Sequence, residues 1–133
     1  MATEARFFDR TYAEAMSLLV EARNYAAYRE PAERRGLPAE TRLACCLESM
    51  RVTSRLTQVM AWLLAQKAAH AGEIPAEEAV SDRFALSGQG VCLDEGGECN
   101  EALPGGLRSL LGRSHQLYKR ISRLEEMARA RMN

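Results

Sequence analysis

Aromatic residues are scarce in this 133-residue chain: they make up 6% of it, with a single tryptophan, Trp62. Histidine is scarcer, with His70 and His115 alone, and neither has a His or Glu partner at the i, i+4 spacing of a helical zinc site. No apolar run approaches the roughly 18–20 residues that cross a bilayer. A charge of one sign is also lacking: 18 Lys plus Arg face 18 Asp plus Glu, so no global charge draws the chain to nucleic acid or to an anionic membrane. Ser87-Gly88-Gln89-Gly90 lacks the Gly-Lys-Ser/Thr of a phosphate loop. The acidic residues do not repeat as Glu-x-x-His, which disfavours a di-iron bundle. Cys45 and Cys46 are adjacent, and Cys92 and Cys99 are too far apart for a zinc knuckle. These absences predict a non-enzyme with no catalytic residue, no cofactor and no metal.

Met1 to Arg6 lacks the basic-then-apolar order of a secretion signal, so the four cysteines are expected as reduced thiols in the cytoplasm. Cys46 is expected to pack as a small core residue. A Cys92–Cys99 disulfide is geometrically open, but that compartment disfavours it.

What is present is helical periodicity. Hydrophobic residues at 47% and charged residues at 27% suit one globular domain over 1–133. Phe8, Tyr12, Ala15, Leu19, Ala22 and Ala26 form one helical stripe, and Pro31 and Gly36 predict its end near residue 29. Residues 38–71 hold no Gly or Pro after Pro38 and carry two apolar seams. One is Leu43, Cys46, Met50, Thr53, Thr57, Met60 and Leu64; the other is Val52, Leu56, Val59 and Leu63. A helix apolar over so wide an arc is covered on two sides, one by its own chain and the other by a second subunit. Leu107, Leu110, Ser114, Leu117, Ile121, Leu124 and Ala128 mark a further helix over about 104–131. No window alternates with period two. The expectation is an all-α, antiparallel three-helix bundle, with helices at about 4–29, 38–71 and 104–131 and a long middle helix.

Residues 72–103 read as a mobile, Gly-rich acidic loop with eight acidic residues and one basic. Residues 104–133 hold seven basic and two acidic. The plainer account of that asymmetry is a loop folded back over the last helix; the sharper one is two separate docking surfaces. Arg113, Arg120 and Arg123 form a possible basic docking face, and a DNA-associated regulatory bundle using it is the alternative function. No helix-turn-helix spacing accompanies these arginines, which disfavours nucleic acid as a partner.

Three stretches resemble one bacterial family. They are Phe7-Phe8-Asp9-Arg10-Thr11-Tyr12 with Glu14 to Arg23, the run Glu48 to Leu64, and Leu103-Pro104 followed by Leu110-Leu111, Ser114, Leu117-Tyr118, Arg120 and Arg123-Leu124. This is similar to the family of the regulator of CtrA degradation, DUF1465, over nearly the whole chain. The resemblance implies a dimeric three-helix bundle without catalysis, an adaptor in regulated proteolysis during the cell cycle. Its implied partners are the ClpX unfoldase of the ClpXP protease, a priming factor and cargo proteins. A tether of that kind raises the effective concentration of substrate at the unfoldase. Family members carry a flexible tail beyond the third helix, whereas this chain ends at Arg131-Met132-Asn133, about where that helix is expected to end.

Candidate dimer or partner residues lie on the middle helix: Arg51, Arg55, Leu56, Gln58, Val59, Trp62 and Leu63. Arg51, Arg55 and Gln58 form a polar stripe that either crosses a dimer interface or faces water. Trp62 is a core residue or an interface anchor.

Overall fold

The computed structural model describes residues 2–94 and 99–132. Among them every regular element is helical: α1 (Ala2–Asn24), α2 (Glu30–Arg34), α3 (Ala39–His70), α4 (Ala76–Ala79), α5 (Gln89–Cys92) and α6 (Gly105–Met132). A π turn, Tyr25–Arg29, joins α1 to α2 without a break, and a 3₁₀ turn spans Asp82–Phe84. Glu95-Gly96-Gly97-Glu98, expected within the loop, lies outside the described residues.

The first helix thus runs past its expected stop near residue 29. Pro31 has no N–H and its ring crowds the preceding turn, which normally ends or kinks a helix. Here the turn before it is widened instead, the Glu30 N–H bonding to the Tyr25 carbonyl five residues back. The proline then occupies the first turn of α2. α3 ends as expected at Gly72, whose left-handed φ of 79° lets the Glu73 N–H reach the Ala68 carbonyl at 2.9 Å.

Contacts along the long helices fix their directions. Phe8 meets Trp62 and His70, while Glu30 accepts from Ser49, so α1 is antiparallel to α3. Glu21 pairs with Arg113, Glu14 with Arg120 and Glu4 with Arg131, so α1 is antiparallel to α6 as well. α3 and α6 therefore run parallel, which corrects the expectation of alternating directions. A parallel pair needs a connection that returns the length of the molecule, and residues 72–104 are that connection. Their length is the consequence of the topology.

The core is one cluster in which Val52, Leu56, Val59, Trp62 and Leu63 of α3 meet Leu107, Leu111, Tyr118 and Ile121 of α6 and Ala15 and Leu18 of α1. The connection contributes Leu86, Cys92 and Leu103 to it.

Candidate interaction surfaces

The returning segment, expected as a mobile loop, is a strap held against α3 and α6 by side chains of both. Arg55 anchors it. This residue is fully buried. Its Nε donates to the Cys92 carbonyl at 2.8 Å and its Nη2 to the Asp94 carbonyl at 2.7 Å. Its Nη1 donates to the Leu111 carbonyl at 2.8 Å and to Ser114 Oγ at 3.2 Å. The planar guanidinium alone among side chains offers five donors in a fixed fork, which suits the joining of a strap to a helix. Beyond it, the Ser87 N–H donates to Gln58 Oε1 at 2.9 Å and the Leu86 N–H to Glu125 Oε2 at 2.7 Å. The Tyr118 hydroxyl donates to the Ser87 carbonyl at 3.2 Å, and His115 Nε2 lies 3.0 Å from the Leu93 carbonyl. Arg51 reaches the Val91 carbonyl and pairs with Glu48 at 3.0 Å and Asp94 at 3.3 Å. Burial pushes Tyr118 up to about 12 and raises the Cys92 thiol above its ordinary range.

This arrangement corrects the proposed partner surface on α3. Arg55, Leu56, Val59, Trp62 and Leu63 are all buried within the chain, at 0–1% exposure, so none of them forms an outer face against a second copy of the chain in this fold. Arg51 and Gln58 are half-buried and grip the strap. Cys46, expected in the core, is exposed; its neighbour Cys45 is buried instead, and all four cysteines are free.

The expected basic face is largely neutralised, by α1 rather than by the acidic segment. Arg113 makes a two-pronged bond to Glu21 at 2.6–2.7 Å, and Arg120 meets Glu14 at 2.7 Å. The Arg113 bond holds the Glu21 carboxyl below its usual range. Arg129 reaches Asp82 of the strap at 3.3 Å. Arg123 is exposed and forms no ion pair among the described residues, so the three predicted arginines differ in their partners.

What α3 turns outward is a stripe that shares Leu43, Met50, Thr57 and Leu64 with the first expected seam but takes Leu47, Ser54 and Ala61 in place of Cys46, Thr53 and Met60. Leu43, Leu47, Met50, Ser54, Thr57, Ala61 and Leu64 recur at steps of four and three, a heptad pattern without a charge. Leu43, Leu47 and Met50 are 64–67% exposed and Leu64 is 49% exposed. Ser54, Thr57 and Ala61 keep the middle of the stripe shallow. The expected seam held four of these seven positions, and Met60, expected in it, packs against the core instead. No group of three or more metal-ligating side chains forms among the described residues. No helix among them is long and apolar enough to cross a membrane.

Comparison with known proteins agrees with this geometry. No curated protein matches the chain. The crystal structure of RcdA from Caulobacter crescentus CB15 superposes with a TM-score of 0.72 at 36% identity, covering 91% of this chain and 89% of that one. The model of a protein family of unknown function, DUF1465, matches residues 1–133, and the chain belongs to that family.

Proposed function

We propose that this protein is a non-catalytic, protein-binding adaptor of regulated proteolysis, working as a homodimer of three-helix protomers. The observation that carries the reading is the uncharged heptad stripe on α3. About 31 Å long at 1.5 Å per residue, it presents apolar knobs at its ends and small residues at its middle. Two copies of such a stripe pack on each other without burying a charge, and the small central residues let the backbones approach. Similarity to RcdA supports the adaptor class. The priming factor, ClpX and cargo follow from the family resemblance and would use the surfaces that the dimer leaves open.

The test pairs sedimentation with recruitment. The wild-type chain is expected to sediment as a dimer and to be retained on immobilised ClpX once the priming factor is present. Leu47→Glu with Met50→Glu should give a folded monomer. A wild-type monomer refutes the dimer, and failure of the wild-type dimer to bind primed ClpX refutes the adaptor.

A further inference from the structure

At one end of the molecule the first turns of α1, the last turns of α3 and α6, and α4 enclose a cavity of about 630 Å³. That lies within the roughly 300–1,000 Å³ typical of small-molecule sites. Its walls include Phe8, Trp62, Leu124 and Ala128, all buried or half-buried. Two polar features set it apart from a packing gap. Trp62 is 1% exposed, and its indole N–H has no acceptor. A buried donor left unpaired is costly, and an oxygen on a bound molecule that parts the wall covering it would satisfy it. At the exposed rim, His70 Nε2 and Arg131 Nη1 converge on one carboxylate, that of Glu4, at 3.7 and 3.3 Å. The rim is thus already built around a carboxylate, and Glu4 sits on a mobile-length side chain at half exposure.

We propose that this cavity binds a small apolar acid. The carboxylate takes the place of Glu4 between His70 and Arg131, the hydrocarbon body lies along Phe8, Leu124 and Ala128, and an oxygen on the body accepts from Trp62. Apolar walls supply affinity, and His70 and Arg131 at the rim set the orientation of the head group. None of these residues belongs to the outward stripe of α3, so the site stands apart from the proposed dimer.

Because Trp62 is the sole tryptophan, its indole N–H gives one resonance in a nitrogen-edited spectrum, from the wall between cavity and core. The probes are decanoate, oxo-substituted decanoates and uncharged decanol. Saturable movement of that resonance is expected, with affinity falling from oxo-decanoate through decanoate to decanol. Glu4→Gln should tighten decanoate about two- to fivefold by freeing Arg131 and His70, and Arg131→Gln should weaken it by a similar factor, the range for exposed charge pairs. Both residues are exposed, so neither variant threatens the fold. Decanol binding as tightly as decanoate, with Glu4→Gln indifferent, would make the cavity a plain apolar groove and overturn the proposal. So would an indole resonance that no probe moves.

Discussion

The Arg55 guanidinium donates from Nε to the carbonyl oxygen of Cys92 at 2.8 Å, joining residues 37 positions apart. With its bonds to Asp94 and Leu111, this one side chain of α3 ties the strap to α6. Removing it takes a charged donor from the Cys92, Asp94 and Leu111 carbonyls and leaves the strap without its anchor. Arg55→Met is expected to lower stability by about 1–3 kcal/mol, the scale for leaving buried hydrogen-bonding groups without a partner. Arg55→Lys should recover only part of that, because one ammonium cannot reach carbonyls in three directions. Urea denaturation measures both, and a loss under about 1 kcal/mol for Arg55→Met would show that the strap is held by packing instead.

Deletion of residues 86–94 separates the strap from a loop more sharply still. A mobile loop could be shortened at little cost, since closure entropy changes slowly with length. Here the deletion removes Leu86 and Cys92 from the core and takes away the Cys92 and Asp94 carbonyls that Arg55 holds. The expected product has lost its cooperative thermal transition. A variant that melts as sharply as the wild type would mean that α6 can be connected another way.

Alkaline pH should weaken the fold in a defined window. Tyr118 is raised from 10 to about 12 by burial, with Cys92 and Glu125 nearby adding to the effect. Tyr25 is raised too, by burial and by its hydrogen bond to Glu33. A group whose folded value lies above its unfolded one favours the folded state while protonated. That contribution is complete below pH 10 and is lost as pH climbs from 10 through about 12. The buried thiols Cys45 and Cys92, raised above 9.0, act in the same sense from that value upward. Melting temperature should fall with pH in this window while tyrosinate absorbance rises over the same range. Tyr118→Phe should flatten the slope.

The ion pairs between α1 and α6 are exposed, and their contribution should be small. Arg113→Gln and Arg120→Gln are each expected to cost about 0.2–1 kcal/mol at low ionic strength. At about 1 M salt, where the screening length is near 3 Å, the difference from wild type should nearly vanish. A cost that persists in high salt would point to packing by the arginine stems.

The periodic parts of this fold were readable from sequence because helical stripes are local. The 3-4 spacing on α6 and both seams of α3 are visible without any tertiary knowledge. The relative direction of α3 and α6 was not, because it depends on where a long connection goes, and residues 72–103 have the Gly and acid content of a loop. Their attachment rests on bonds from Arg55, Gln58, Tyr118 and Glu125, distant in sequence. One signal was available: Arg55 stands among Val52, Leu56, Val59 and Trp62, and a charge inside an apolar arc asks what satisfies it. Assigned to a partner, it pointed outward; satisfied by the strap, it points inward.

Gly106 shows the same limit at the scale of one atom. Gly105-Gly106 reads as a weak helix start, since glycine disfavours helix. In the structure a Cβ on Gly106 would stand 2.4 Å from Tyr25 Cε2, whereas one on Gly105 or Gly112 would meet nothing within 4 Å. Tyr25 is buried in the π turn and its hydroxyl donates to Glu33, so the ring has two reasons not to move. Gly112→Ala, inside α6, should therefore stabilise the protein by about 0.5–1 kcal/mol. Gly106→Ala should destabilise it by about 1–3 kcal/mol, the scale of an overpacked contact. Tyr25→Leu in the Gly106→Ala background should recover part of the loss, because the clash is with the ring itself. If Gly106→Ala proves as favourable as Gly112→Ala, the ring is free to shift and the π turn does not fix its place.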